Sequence, residues 1–255
     1  LQSRGVTTHF LDTQYRCHPH IANFSSNRFY QGRLRNGENV MRENYSPLVS
    51  TSRYLKPFMY VFFFFLSLLF VPPYHFQQQQ QQHYNRFYDL ADSTETLGTG
   101  ANKYSYQNLA EAKFVCNLIQ YYVRVASSNN TENLLKSIGV ITPYRAQINV
   151  IKRVIAREFN LTDPFVEVNS VDAFQGREKD IIIFSCVRSG ARRFDEDEEG
   201  EMEEGEIRKR VVMNRGSSVG FLKDPRRLNV ALTRAKYGLW IVGHCPTLEK
   251  RSEER

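Results

Sequence analysis

The chain has 255 residues, 41% of them hydrophobic and 24% charged, with 14 Gly and 9 Pro. That composition excludes collagen-like, mucin-like and wholly disordered classes and fits one globular domain with irregular insertions. The formal charge is +7, yet nine acids crowd positions 195–206, so the remainder carries +16. Such a basic excess suits a polyanionic partner, nucleic acid first, although many proteins share it and bind none. Cys17, Cys116, Cys186 and Cys245 lie far outside zinc-ligand or redox spacing and read as reduced, intracellular thiols. The opening Leu-Gln-Ser-Arg-Gly has neither a starting Met nor a signal-peptide pattern, so the sequence reads as a fragment with nothing directing secretion.

In chain order, Phe58 to Val71 is a run of fourteen apolar or small residues that stops at Pro72-Pro73. A membrane span needs about twenty. Together with the Gln77–Gln82 tract, the stretch 61–85 reads as a low-complexity insertion and not as a membrane segment. Its Phe, Leu, Ser and Pro residues correspond to pyrimidine-rich codons, as in an intron read through in translation. Asn108 with Glu111 forms a capping-box signal ahead of Leu109, Ala112, Cys116, Ile119 and Val123, which recur at helical spacing. Ile138 to Ile141 predicts a strand. Thr142 as N-cap, Pro143 at the first helical position and the stripe Ile148, Ile151, Ile155, Phe159 predict a helix after it. Val166–Val171 and Ile181–Cys186 predict strands around a turn-rich segment. Positions 190–217, acidic and then basic at Arg208-Lys209-Arg210, read as a disordered solvated loop, with an acidic mimic of nucleic acid as the alternative. A helix opening at Asp224-Pro225 and a strand over Leu239–Val242 follow. Alternation of this kind predicts a mostly parallel sheet with helices on both faces.

In an open α/β sheet the loops at the carboxyl ends of the strands form the ligand crevice, so polar residues after apolar runs are the candidates. Four segments qualify: Gln14-Tyr15-Arg16-Cys17-His18-Pro19, Ile141-Thr142-Pro143-Tyr144, Val171 to Glu178 (VDAFQGRE) and Leu228 to Ala235 (LNVALTRA). In this order they resemble the second motor domain of the superfamily one RNA and DNA helicases, and within them the senataxin-like branch. Phe24 to Gly37 (FSSNRFYQGRLRNG) and Ser218 to Asp224 (SVGFLKD) share the likeness, which covers nearly the whole chain outside the two insertions.

The resemblance implies a RecA-like fold of the P-loop NTPase type, with ATP and Mg2+ as cofactors. Phosphoryl transfer needs positive charge on the γ-phosphate oxygens, and a planar guanidinium fork suits that task. By resemblance Arg16 and Arg234 supply it. At 100° per residue Arg234 falls roughly 110° from the centre of a stripe formed by Leu228, Ala231, Leu232 and Ala235, flanking the buried face. The bland alternative for either Arg is a surface salt bridge, worth under about 1 kcal/mol. Tyr15 by resemblance stacks on the adenine; core packing is its alternative. Gly176 permits close backbone approach to a ligand, and Glu178 has acceptor oxygens for a ribose hydroxyl. Thr142-Pro143 and Ser170 are candidates for holding a nucleic-acid backbone, with an ordinary helix cap as the alternative for the first pair. His18 has no metal partner at ligand spacing and reads as a structural hydrogen-bonding residue.

Cys17 stands where the family usually has Met, a change of soft side chain. No Gly-x-x-x-x-Gly-Lys-Ser/Thr stretch occurs, and Gly98-Thr99-Gly100 lacks the required Lys. A strand ending in the magnesium-holding Asp-Glu pair is likewise missing, so the resemblance assigns phosphate cradle and metal mainly to an absent first RecA-like domain. The segmentation that follows is 1–60 as the start of the motor domain, 61–85 as insertion, 86–189 as RecA-like core, 190–217 as acidic loop and 218–255 as the end of the core. Expected partners are single-stranded RNA or DNA, an RNA/DNA hybrid included, and the first motor domain, with no membrane. The resemblance implies a nuclear location, with the cytoplasm as the alternative. From another class, the chain alone reads as a non-catalytic nucleic-acid or partner-binding module derived from a helicase.

Overall fold

The computed structural model describes residues 9–42, 45, 85–126, 130–160, 165–189 and 224–250. The run at 58–71, the acidic stretch 190–217 and all of 61–85 except Asn85 lie outside the described residues. The first elements are β1 (Thr13–Gln14), α1 (Pro19–Tyr30), β2 (Arg35–Asn36) and β3 (Asn85–Asp89). A short hairpin of β4 (Thr96–Leu97) and β5 (Tyr106–Gln107) precedes α2 (Leu109–Ala126) and α3 (Thr131–Lys136). Then come β6 (Ile138–Ile141), α4 (Arg145–Glu158), β7 (Glu167–Asn169) and β8 (Lys179–Ser185). The described chain closes with α5 (Pro225–Leu232), β9 (Ala235–Gly243) and α6 (Cys245–Lys250).

Strands β3, β9, β8, β6 and β7 lie side by side in that order, and every neighbouring pair is parallel. Parallel strands require crossover connections, and the helices supply them on both faces, which is the RecA-like α/β architecture that the resemblance implies. Successive residues of the central strands bury opposite sides. Ile182, Phe184, Leu239 and Ile241 join Ile21, Phe24, Phe174, Leu228 and Leu232 in one core. Ile181, Ile183, Trp240 and Val242 join Val115, Ile119, Tyr122, Ile151 and Ile155 in the other. Two buried faces explain why these strands read as unbroken apolar runs.

Local chemistry sets the helix starts. His18 Nδ1 accepts from His20 N at 3.3 Å ahead of Pro19, the structural role expected of that imidazole. Asp224 accepts from Arg226 N at 2.9 Å ahead of Pro225. Thr142, in contrast, does not cap α4. Its N–H donates to Asn169 O at 3.2 Å, continuing the β6–β7 ladder; Tyr144 takes the capping position and the helix begins at Arg145. The helical stripe through Ala235 is also corrected. Helix α5 stops at Leu232, Thr233-Arg234 form the turn, and Ala235 is buried because it pairs with Lys179 as a strand residue. Strand β3, which the sequence reading leaves without an element, is defined by its ladder to β9. All four cysteines are free and buried, and among the described residues no helix is long and apolar enough to cross a membrane.

Half of the expected capping box forms, with Asn108 Oδ1 accepting from Glu111 N at 3.1 Å. The reciprocal bond does not, because Asn108 N donates to Gln147 Oε1 at 2.8 Å and Glu111 turns inward. There its Oε2 accepts from Ser185 Oγ at 2.6 Å and from Val187 N at 2.9 Å, holding a β-branched residue at a φ of 69°. Burial pushes the Glu111 carboxyl up to about 8, against the opposing hydrogen bonds. The folded state therefore keeps a proton that the unfolded chain releases near pH 4.5, so the stability associated with neutral Glu111 is complete below that pH and is lost as pH rises towards about 8. Glu111→Gln preserves the neutral shape and an acceptor oxygen. Between pH about 5 and about 8 the parent's melting temperature should fall relative to that of Glu111→Gln; parallel melting curves across this window would refute the protonated assignment.

Candidate active site

The site grows from a register. Strands β8 and β9 begin level, with Lys179 paired to Ala235, so the residues just before them, Glu178 and Arg234, face one another at the amino edge of the sheet. Between Lys179 and Ile181 the register shifts, β9 spending one residue more than β8. Bulges of this kind re-aim side chains, and Lys236 Nζ lies 3.1 Å from Glu178 Oε1. The loop after β1 is tied to the same place, since His18 N donates to Lys236 O at 2.8 Å. Gln14 shapes that loop: its Oε1 accepts from Arg16 N at 3.0 Å and Cys17 N at 2.8 Å, while its Nε2 donates to Cys17 O at 2.8 Å.

Arg16 projects from this turn, its Nε 2.5 Å from Glu178 Oε2 and one terminal nitrogen 3.4 Å from Thr233 O. Arg234 folds back over the same turn, donating through Nε to Val230 O at 2.9 Å and through a terminal nitrogen to Thr233 Oγ1 at 3.1 Å. Two guanidinium groups 218 positions apart thus meet on Thr233. Burial, and after it the charge of Arg16, lowers the Arg234 guanidinium from its ordinary range. The hydrogen bond from Arg16 holds the Glu178 carboxyl below its usual range, and the one to Glu178 raises Lys236. Cys17 sits beneath them, its thiol pushed up to about 12 by burial. Tyr15 is 65% exposed, which removes core packing as its role. Its ring lies against Gly37, where a Cβ would come within 2.3 Å of ring carbon Cδ1, so only glycine leaves room for it.

The expectation of a single crevice at the carboxyl ends needs correction. Arg16, Glu178 and Arg234 gather at the amino ends of β8 and β9, whereas Thr142 and Ser170 follow the carboxyl ends of β6 and β7. Segment 171–178 crosses from one edge to the other. Six residue steps along β8 separate the edges by about 20 Å. Thr142 is fully buried, and its hydroxyl has no hydrogen-bond partner among the described residues; Pro143 and Ser170 are half-buried at the rim. The Ser170 hydroxyl accepts weakly from Ala173 N at 3.4 Å.

A family model described as an AAA domain matches residues 1–246. The chain belongs to that family. It is 33% identical over 248 residues to Helicase SEN1 of Saccharomyces cerevisiae, covering 97% of this chain and 9% of the yeast protein. Over 254 residues it is 33% identical to the Regulator of nonsense transcripts 1 homolog of Arabidopsis thaliana, covering 98% of this chain and 16% of the relative. Against the ATP-dependent helicase upf1 of Schizosaccharomyces pombe it is 32% identical over 249 residues, 95% of this chain and 20% of the relative. The chain therefore spans at most a fifth of the length of these three relatives. The superfamily one resemblance holds: this AAA-family chain is a helicase-type domain among relatives that include an ATP-dependent helicase.

Two converging guanidiniums, an exposed ring and open space beside Gly176 fit the phosphate and base ends of a nucleotide. Among the described residues no group of three His, Cys, Asp or Glu side chains could hold a metal ion. Sequence reasoning missed Thr233, which adjoins Arg234 within the same motif, and Lys236, the first residue past that motif. Gly176 has a φ of +81°, and a Cβ there would meet nothing within 4 Å. Gly176→Ala should accordingly cost about 1–2 kcal/mol in conformation alone; an unchanged denaturant midpoint would contradict the turn geometry.

Proposed function

We propose that the chain is the second, C-terminal RecA-like motor domain of an ATP-dependent RNA/DNA helicase, working against a first motor domain that carries the phosphate-binding loop and most of the magnesium ligation. The observation supporting it is the meeting of Arg16 and Arg234 on Thr233 at one edge of the sheet. Bound between two such lobes, ATP supplies a γ-phosphoryl group that passes to water, breaking one P–O bond and leaving ADP and phosphate. Arg16 and Arg234 donate to the γ-phosphate oxygens as charge spreads over them. For that, Arg16 leaves Glu178, and Lys236 stays to neutralise the carboxylate. Glu178 then accepts from a ribose hydroxyl, Tyr15 stacks on the base, and Gly176 keeps the turn open beside them.

The track is single-stranded RNA or DNA, with an RNA/DNA hybrid as a further substrate, held through its backbone at Pro143 and Ser170. Thr142, being buried, serves this edge by shaping it and not by touching the strand. Closure on ATP and opening after hydrolysis move the two lobes along the strand, and the nucleus is the proposed place of work. In the longer protein with both motor domains, Arg16→Ala and Arg234→Ala should each lower ATP turnover by about a thousand to a hundred thousandfold. Turnover within about tenfold of the parent for either variant would defeat the assignment.

A further inference from the structure

The β4–β5 hairpin stands on the carboxyl edge beside Pro143 and is fastened at its base. Arg188 Nε pairs with Glu95 Oε2 at 2.7 Å, and both side chains are almost fully buried. Glu95 also accepts from Ser189 N at 2.8 Å. The Arg188 guanidinium lies 4.2 Å over the Tyr106 ring, which meets Tyr144 edge-on at 5.7 Å. Ser105 Oγ accepts from Ala146 N at 3.0 Å, so the hairpin caps α4 directly after Thr142-Pro143. A Cβ on Gly98 would stand 2.9 Å from Ala146 Cβ, which shows how closely the hairpin backbone seats on that helix.

This anchored base carries an open tip. Tyr104 is 84% exposed, the Lys103 ammonium lies 5.0 Å from its ring centroid, and Arg145, at the start of the capped helix, is exposed as well. A single exposed tyrosine is ordinary. An exposed ring on a rigid support, flanked by cations, next to a backbone-holding edge has the composition of a single-strand platform, where bases stack on aromatic faces and cations follow the phosphates.

We propose that the hairpin tip is a base-stacking subsite for a nucleic-acid single strand, the Tyr104 ring taking one base and Lys103 the adjoining phosphate. It rests on the nucleic-acid reading above and adds a contact outside the four segments of the resemblance. Both side chains are exposed, so their replacement leaves the cores intact. Fluorescence anisotropy of a labelled oligouridylate with the 255-residue chain tests it. Tyr104→Ala should weaken binding roughly five- to 150-fold with an unchanged salt slope, and Tyr104→Phe should retain it. Lys103→Ala should reduce the slope of log affinity against log salt by about 0.7. Parent binding that both alanine variants leave within about twofold, with the parent's salt slope, overturns the subsite and spares the helicase reading. Failure of the parent chain to bind any single strand overturns both.

Discussion

Lys179 and Ala235 start two parallel strands at one level, and the amino-edge chemistry depends on that register. It sets Glu178 against Arg234, brings the β1 loop with Arg16 alongside β9, and leaves Lys236 in reach of the same carboxylate. A one-residue slip between β8 and β9 would send alternate side chains to the wrong face and scatter the group. Buried residues on both sides guard against it. Ile182 and Leu239 lock one core, Ile183 and Trp240 the other, so the register is held by packing on two faces.

Arg16 and Lys236 share the Glu178 carboxylate, and the Arg234 guanidinium lies close by, so cations outnumber this acid at the edge. The Arg16 and Glu178 side chains are 32% and 39% exposed, so their ion pair is screened and contributes little, under about 1 kcal/mol. That weakness matters for the proposed chemistry. A polyanion with several phosphate charges competes readily for Arg16, and Lys236 keeps the carboxylate from being stranded. Arg234 is more firmly held, donating to the Val230 carbonyl of α5 and to the Thr233 hydroxyl, and is partly desolvated beside Arg16. The two guanidiniums therefore differ in how they are held: Arg16 by a screened ion pair, Arg234 by its own helix end.

Much of this was legible in the residues. Apolar runs located β6 and β8, Asp224-Pro225 located α5, and the order of four short motifs pointed to the helicase family. What failed did so for physical reasons. Strand β3 owes its state to pairing with β9, a tertiary fact that local pattern does not carry. Thr142-Pro143 has the composition of a helix start, but Thr142 is claimed by the sheet through Asn169, and the cap moves to Tyr144. Ala235 fits a helical stripe and a buried strand start equally well, and the ladder with Lys179 decides. Glu111 fits a capping box, yet Gln147 takes the Asn108 N–H, and the carboxyl serves Ser185 and Val187 instead. The rule that ligands gather beyond the carboxyl ends of strands misplaced three residues because it describes a single-domain crevice. On the proposed function, an edge that completes the nucleotide site of another lobe is free to lie at the opposite end.

That separation bears on how the domain would work. Strand β8 runs from Lys179, next to Glu178, at one edge to Ser185 at the other, and its last five residues are buried. Ser185 is bonded to Glu111, which holds Val187, and Arg188 follows in the clamp that seats the hairpin. Close-packed strands of this kind are stiff and do not stretch to absorb a displacement. A movement imposed at the amino edge is then carried to the carboxyl edge by the whole body turning, with hairpin and Pro143 rim riding on the same strand. On the proposed function, coupling between nucleotide and track needs no internal switch in this domain: it would follow from placing the two contacts at opposite ends of one rigid sheet and putting the hinge elsewhere.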